Sequence, residues 1–338
     1  MTGNAQMKSV QDIQNDLGTG IPMSRLIQGD VGSGKTIVAA LIIAGVINNG
    51  FQSAVLAPTS ILAEQLFKNI GAFLLNNKII EQNEICFLSG DTPVKEKREI
   101  LDGLKSGVIK IAIGTHALIE EPVNFKNLEF VVIDEQHRFG VMQRKKIRMK
   151  GPGSHLLVMT ATPIPRTLAL TIYGDLDLSI IDELPPGRKE VKTSIINPQN
   201  RKEVYKFIRT QAQSGAQAFI VYPRVEVDDD ESIETNAAVN EFNRLAQEEF
   251  PDIPIGLLHG KMKSEEKENV MTNFRKGLVK ILVTTTVIEV GVDIPYATIM
   301  LIEGANRFGL SQLHQLRGRV GRNDFQSYCY LIPENEDA

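Results

Sequence analysis

Residues 29 to 36 read G-D-V-G-S-G-K-T; they follow the apolar R-L-I-Q and open the helical pattern I-V-A-A-L-I-I. A strand, a glycine loop and a helix in that order can bind phosphate. Glycines let backbone N–H groups come close to the anion, and the helix N-terminus adds its dipole. Gly29, Gly32 and Gly34 allow that approach, with Asp30, Val31 and Ser33 supplying the backbone between them. Lys35 is expected to reach the β- and γ-phosphates of ATP, and Thr36 to hold Mg²⁺ through its hydroxyl.

The other half of a phosphate site must supply a carboxylate for the metal and a group that activates water. In F-V-V-I-D-E-Q-H, residues 130 to 137, an apolar strand pattern ends at Asp134 and Glu135 follows. Asp134 is expected to bind Mg²⁺, directly or through water, and Glu135 to act as general base. His137 reads either as a locally satisfied loop histidine or as a residue that couples hydrolysis to another event. Hydrolysis also needs positive charge at the γ-phosphate, and arginines brought from elsewhere contribute on the order of 10³ to 10⁵ in rate. Q-L-R-G-R-V-G-R, residues 315 to 322, carries Arg317, Arg319 and Arg322. Alone it reads as a basic helix face. With the phosphate loop upstream, Arg319 and Arg322 read as fingers reaching across a cleft, completing the site when two domains close.

These groups need rigid strand ends to hold them. Apolar runs of four to six residues alternate with helix-patterned segments along the whole chain, the rhythm of parallel sheets flanked by helices. Strands are expected near 24–28, 53–57, 109–113, 129–133 and 155–160, then near 217–222, 254–258, 280–284, 298–302 and 327–332. Between the two sets lies D-E-L-P-P-G-R, residues 182 to 188, where Pro185, Pro186 and Gly187 stop helix and strand pairing. A length of 338 residues exceeds what one core supports. The expected fold is therefore α/β, with two tandem parallel-sheet domains, 1–184 and 185–338, and the ATP site in the cleft between them. The halves share a rhythm but no short-period repeat.

Apolar residues at 42% and charged residues at 23% are the balance of a globular protein, and no apolar run approaches a membrane span. Cys86 and Cys329 sit in apolar stretches, E-I-C-F-L and Y-C-Y-L-I, and read as buried reduced thiols. No cysteine pair has zinc-ligand spacing. A net charge of −4 argues mildly against nucleic acid as partner, although a local basic stripe would suffice. Arg144, Lys145, Lys146, Arg148 and Lys150 form the densest such stripe, either a solvated helix face or a binding surface. The acidic run Asp228 to Glu231 reads as a solvated loop.

In order, the motifs resemble those of a superfamily-two helicase. A-P-T-S-I-L-A-E-Q (57 to 65) and G-T-H-A-L-I (114 to 119) stand where that family contacts a strand, and T-A-T-P-I-P-R-T (160 to 167) where it couples the sites. L-L-H-G-K-M (257 to 262), T-T-T-V-I-E-V-G-V-D-I-P (284 to 295) and the arginine motif complete the second half. D-E-Q-H-R-F-G-V, I-D-E-L-P-P-G-R and R-F-G-L-S-Q-L-H-Q-L-R-G-R-V-G-R together resemble the RecG-type branched-DNA helicases. The nearest rival family, the Mfd-type transcription-repair coupling translocases, shares T-A-T-P-I-P-R-T and the arginine motif. Its acidic motif normally reads D-E-E-H, and it lacks the D-E-L-P-P-G-R junction.

The RecG-type resemblance implies two RecA-like domains that hydrolyse ATP, move on double-stranded DNA, and remodel replication forks and Holliday junctions in recombination and repair. It implies a monomer in the bacterial cytoplasm, with the nucleoid as its place of work during repair, and no membrane partner. It adds Gln315 to the catalytic set with Lys35, Asp134, Glu135, His137, Arg319 and Arg322, and Gly291 and Asp293 to the nucleotide contacts. It makes Pro58, Thr59, Gly114, Thr115, His116, His259, Gly260 and Thr285 the DNA-contacting set, where small polar groups and backbone N–H groups touch phosphates. Tryptophan is absent, so tracking a duplex backbone is more natural than stacking on bases. The adenine-reading L-T-x-x-Q of this family stands here as M-T-G-N-A-Q, with Gln6 in place and Gly3 where Thr is the rule. By the same resemblance the chain is an excised motor core, joined to unrelated residues at about Asn4. The family's N-terminal oligonucleotide-binding wedge and its C-terminal helical hairpin are expected to lie outside it. Two other function classes fit parts of the pattern: a nucleic-acid-binding module without catalysis, against which the complete catalytic set speaks, and an ATPase that remodels a protein partner.

Overall fold

The computed structural model describes residues 3–134, 146–147, 149–161, 176–183, 189–223, 239–285, 294, 296–321 and 323–335. The chain divides into two compact units, Met1–Pro186 and Gly187–Ala338. The junction expected after residue 184 falls in residues 184–188, outside the described residues.

In the first unit, β1 (Ser24–Gly29), β2 (Gln52–Leu56), β3 (Ile85–Leu88), β4 (Ile111–Gly114), β5 (Leu128–Asp134), β6 (His155–Thr160) and β7 (Asp177–Ile181) form one sheet in the order β3-β4-β2-β5-β6-β1-β7. Every pairing in it is parallel. Helices α1 (Asn4–Leu17), α2 (Lys35–Asn48), α3 (Ser60–Asn76) and α4 (Val94–Ser106) connect and cover it. Alternation along the strands sorts the core. Ile27, Val55, Ile113, Val132 and Met159 face α1, α2 and α3. Their neighbours Leu26, Ala54, Ala112, Val131 and Val158 face α4 and the turn at 117–123. Strands buried on both faces read as unbroken apolar runs, which is why they are visible in the sequence.

The second unit repeats the plan with β8 (Lys192–Ile195), β9 (Gln217–Val221), β10 (Ile255–Leu258), β11 (Ile281–Thr284), β12 (Ala297–Glu303) and β13 (Tyr328–Ile332), in the order β10-β11-β9-β12-β13-β8, again all parallel. Its described helices include α5 (Arg201–Gln213), α6 (Ser264–Arg275) and α7 (Leu310–Arg317). All ten strands expected from the sequence are present. The three beyond them, β3, β7 and β8, are all sheet edges. Strand β8, K-T-S-I, is exposed along its whole length and carries no apolar signal.

The two units share more than a plan. Residues 85–115 correspond to 255–285 without a gap, at a constant offset of 170. Thus β3 falls on β10 and β4 on β11, and Leu88, Gly90, Lys97, Lys110 and Thr115 meet Leu258, Gly260, Lys267, Lys280 and Thr285. Loop hydrogen bonds follow the same offset. The N–H of Ile109 donates to Gly103 O, and that of Val279 to Asn273 O; the N–H of Lys110 donates to Glu84 O, and that of Lys280 to Pro254 O.

A buried glutamine opens the strand beside each repeat. Gln52 Nε2 donates to Leu104 O (2.9 Å) and Ile109 O (2.7 Å), and Gln52 Oε1 accepts from the Asn127 N–H (2.8 Å). Gln217 repeats the donor half from β9, with Nε2 donating to Phe274 O and Val279 O, while its Oε1 is buried with no partner among the described residues. Each amide donates to carbonyls where a helix ends and the next strand begins; Leu104 O and Phe274 O also accept from backbone N–H groups, so the glutamines matter most at Ile109 O and Val279 O. Cys86 and Cys329 are buried free thiols, as read from the sequence; burial pushes both up to about 12, so they stay protonated.

Gln52→Ala removes the amide partner of Ile109 O and of the Asn127 N–H, and one of three donors to Leu104 O, and should lower stability by about 3 kcal/mol, given roughly 1–3 kcal/mol per buried group left unsatisfied. Urea unfolding measures it. A loss below about 1 kcal/mol would mean that water reaches these groups.

Candidate active site

The phosphate loop leaves the carboxyl end of β1 and enters α2. Gly34 caps that helix in the left-handed region at φ 93°, and a Cβ there would lie 2.1 Å from Gln6 Nε2. Only glycine serves both the turn and the neighbour. Ser33 is buried at 1% exposure, and its N–H donates to Asp30 O (3.1 Å). The Lys35 ammonium donates to Gly29 O (2.6 Å) and Asp30 O (2.9 Å), so it spans the loop's own backbone at the foot of α2. Thr36 follows in the first turn, partly exposed.

Parallel pairing decides what stands beside the loop. In register, Gln28 of β1 pairs with Thr160 of β6, and Met159 of β6 with Asp134 of β5. The ends of β1, β6 and β5 are therefore consecutive on the carboxyl edge, about 4.8 Å apart per strand. Asp134 ends its strand at 9% exposure, on the same edge as the phosphate loop. Among the described residues no group of three or more His, Cys, Asp or Glu could hold a metal. A single carboxylate and a hydroxyl suit Mg²⁺, which keeps waters and takes phosphate oxygens rather than an all-protein cage. Glu135, His137, Gly291, Asp293 and Arg322 lie outside the described residues.

Gln6 meets this loop from α1. Its Nε2 donates to Ser33 O (2.7 Å), its Oε1 accepts from the Gly3 N–H (2.9 Å), and it is buried at 7%. The helix is fixed to the sheet by a polar chain: Ser179 Oγ donates to Asp12 (2.8 Å), and Arg25 donates to Ser179 (3.0 Å) and to Asp16 (2.6 Å).

The first unit's expected DNA-contacting residues gather on the other half of the same edge. Pro58 and Thr59 follow β2, Gly114 ends β4, and the Ala57 N–H donates to Gly114 O (2.9 Å), joining the two loops. Thr59 caps α3. Thr115 is buried with no partner for its hydroxyl among the described residues, and His116 is exposed. Gly114 has a structural reason of its own: a Cβ would lie 1.9 Å from Leu88 O of β3. In the second unit His259 and Gly260 follow β10 and Thr285 follows β11. Burial, with Lys267 next, pushes the His259 imidazole below its usual range, so it is neutral at pH 7. Lys267 donates to Gly260 O (2.6 Å).

The turn after β10 has a counterpart that sequence reading missed. The His259 N–H meets Met262 Sδ and the Met262 N–H donates to His259 O; at the 170-residue offset, the Ser89 N–H donates to Thr92 Oγ1 and the Thr92 N–H to Ser89 O. S-G at 89–90 and H-G at 259–260 are the same turn. The ungapped match of 85–115 with 255–285 is the signal that would have found it. Of the basic stripe, Lys146 and Lys150 are described. Lys150 Nζ donates to the carbonyls of Glu120, Glu121 and Val123 (2.6, 3.3 and 2.8 Å), and burial lowers its affinity for a proton. Lys146 is exposed, and Arg144, Lys145 and Arg148 lie outside the described residues, as does the acidic run 228–231. In the arginine motif, Leu316 and Val320 bury into the second core and Gln315, Arg317 and Arg319 alternate with them, partly exposed.

Comparison with known proteins matches these features. The family described as DEAD/DEAH box helicase covers residues 4–171, and the helicase conserved C-terminal domain covers 199–324. An ATP-dependent DNA helicase RecG of Synechocystis is 51% identical over 332 residues, and one of Thermotoga maritima 50% over 329. A solved structure of RecG bound to a three-way DNA junction superposes over 98% of this chain with TM-score 0.81 and 46% identity. The chain belongs to the RecG family of helicases. Its two sheets are the RecA-like pair of that family, and the RecG-type reading of the sequence is borne out over its Mfd-type rival. The chain spans 39% and 41% of the length of those two RecG relatives and 43% of the solved RecG chain. A helicase named MrfA bound to DNA, at 20% identity and TM-score 0.73, shares the fold. Among the described residues no helix is long and apolar enough to cross a membrane.

Proposed function

We propose that this chain is the motor of an ATP-dependent DNA helicase. It hydrolyses ATP with Mg²⁺ and moves on double-stranded DNA; in the whole protein that movement remodels replication forks and Holliday junctions. The observation that carries this is the layout of one sheet edge: the phosphate loop and Asp134 at the ends of β1 and β5, with β6 between them, and the Pro58 and Gly114 loops, hydrogen-bonded together, at the ends of β2 and β4. The RecG relative solved on a three-way DNA junction supports the choice of substrate.

In this reading the loop N–H groups hold the phosphates, Lys35 exchanges its carbonyl partners for the β- and γ-phosphates, and Gln6 reads adenine. Thr36 and Asp134 are the residues that would hold Mg²⁺, which when bound neutralises the phosphate charge. Glu135 takes a proton from the attacking water. Arg319 and Arg322 supply positive charge to the γ-phosphoryl group as it passes from ADP to water, with Gln315 in the same motif and His137 coupling hydrolysis to movement. Gly291 and Asp293 complete the nucleotide contacts. The residues from Pro58 to His116 named above track the DNA backbone with His259, Gly260 and Thr285, and the Ser89 turn joins them as the first unit's copy of the His259 turn. One copy of the chain carries the whole set, and the motor acts as a monomer at the nucleoid.

Lys35→Ala should abolish ATP turnover and Glu135→Gln should retain ATP binding with turnover reduced at least about a hundredfold, as for loss of a general base. Arg319→Ala should cut turnover by about 10³ while nucleotide affinity stays near normal. ATPase assays and equilibrium binding check all three; near-normal turnover in Lys35→Ala would displace the site.

DNA affinity should fall steeply with salt, since each neutralised phosphate releases condensed counterion. The paired turns should count alike: Gly90→Asp and Gly260→Asp, each placing a carboxylate beside the backbone, should weaken duplex binding by similar factors and leave ATP affinity unchanged. Titration of each variant with labelled duplex at two salt concentrations tests it. A loss in Gly260→Asp alone would show that the two turns have parted in function.

A further inference from the structure

Helix α1 brings Gln6 to the phosphate loop, yet its N-cap residue offers no side chain to the first turn. The capping residue is Gly3, which has no side chain to accept from the first turn, and that turn holds no acidic residue. The acceptor comes from 178 residues away: the Ala5 N–H donates to Glu183 Oε2 (3.1 Å), and a Cβ on Gly3 would lie 3.2 Å from the same oxygen. The carboxylate sits at the positive end of the helix dipole and takes one of the otherwise unmet amide donors. Glu183 lies two residues beyond the end of β7 and three before the last residue of the first unit, in the D-E-L-P-P-G-R segment through which the chain leaves it.

One residue on from Ala5, Gln6 bonds back to Gly3 and forward to Ser33 O (2.7 Å), packed so closely on Gly34 that no side chain fits between. A continuous hydrogen-bonded path therefore runs from the exit segment through the first turn of α1 to the phosphate loop. The middle of α1 is separately fixed by the Asp12–Ser179–Arg25–Asp16 chain, so Glu183 governs the first turn and not the docking of the helix.

We propose that Glu183 is a positioning residue for nucleotide: it caps α1 from the exit segment, sets the Gln6 amide against Ser33, and so ties the geometry of the segment joining the two units to affinity for the adenine nucleotide. The inference rests on the reading that the loop binds ATP and that Gln6 reads its base.

The test is equilibrium binding of ATP and GTP to the full chain, by displacement of a fluorescent nucleotide, for wild type, Gln6→Ala, Glu183→Ala, Glu183→Gln and Gln6→Ala with Glu183→Ala. Glu183→Ala should weaken ATP about five- to tenfold, the scale of one charge-assisted hydrogen bond, and GTP by less than twofold. Glu183→Gln keeps an oxygen acceptor and should recover most of the affinity. The double variant should bind ATP no worse than Gln6→Ala, because both changes break one path. A side chain that only supports the fold would lower the melting temperature while leaving the ATP-to-GTP ratio at its wild-type value. If Gln6→Ala lowers the ratio and Glu183→Ala does not, or if the two losses add, the inference is overturned. If Gln6→Ala itself leaves the ratio unchanged, the base-reading role of Gln6 falls first, and the inference with it.

Discussion

Parallel hydrogen bonding is the constraint on which everything else in this molecule depends. When every strand of a sheet runs the same way, each must be followed by a crossover, and all carboxyl ends collect on one edge. Here the thirteen described strands, in two sheets, obey that rule. Residues as far apart in sequence as Lys35 and Asp134 thereby reach one line of loops with no direct bond required to bring them there. The order β3-β4-β2-β5-β6-β1-β7 then decides which loops are neighbours: the phosphate loop stands beside the ends of β6 and β5, and the Pro58 loop beside Gly114.

The cost of such an edge falls at the opposite side, where helices end and strands begin among buried carbonyls. Gln52 and Gln217 meet that cost in the two units with the same three-atom amide, and the gapless correspondence of 85–115 with 255–285 shows that the solution is shared down to individual loop hydrogen bonds. The copies have diverged where chemistry is at stake. Lys267 braces Gly260 O, whereas its counterpart Lys97 pairs with Glu120 (2.8 Å). The phosphate loop belongs to the first unit and the arginine motif to the second.

Much of this was legible in the sequence, for physical reasons. Interior strands such as β6 and β11 are buried along their whole length and read as mostly apolar runs; among the edge strands, β7 and β8 are largely exposed and their pattern fades, whereas β3, I-C-F-L, carries an apolar signal that its shortness hides. The phosphate loop was readable because its glycines answer to geometry, as Gly34 does against Gln6. Side-chain partnerships were not readable. Nothing in the local sequence says that Lys150 is spent on the carbonyls of 120–123, that Gly114 is required by Leu88 O, or that Glu183 caps a helix begun at residue 4. Those depend on long-range register, which a linear pattern does not encode.

The division of one edge between nucleotide and DNA is the central claim, and hydrogen–deuterium exchange of the full chain reads it directly. With a non-hydrolysable ATP analogue and Mg²⁺, protection should concentrate in residues 29–36 and around Asp134; with duplex DNA alone it should concentrate in 57–60, 89–92, 114–116 and 259–262. The account would be contradicted if DNA instead protected the amino-edge turns at 49–51, 107–110 and 151–154 and left the carboxyl-edge loops exchanging as in the free protein.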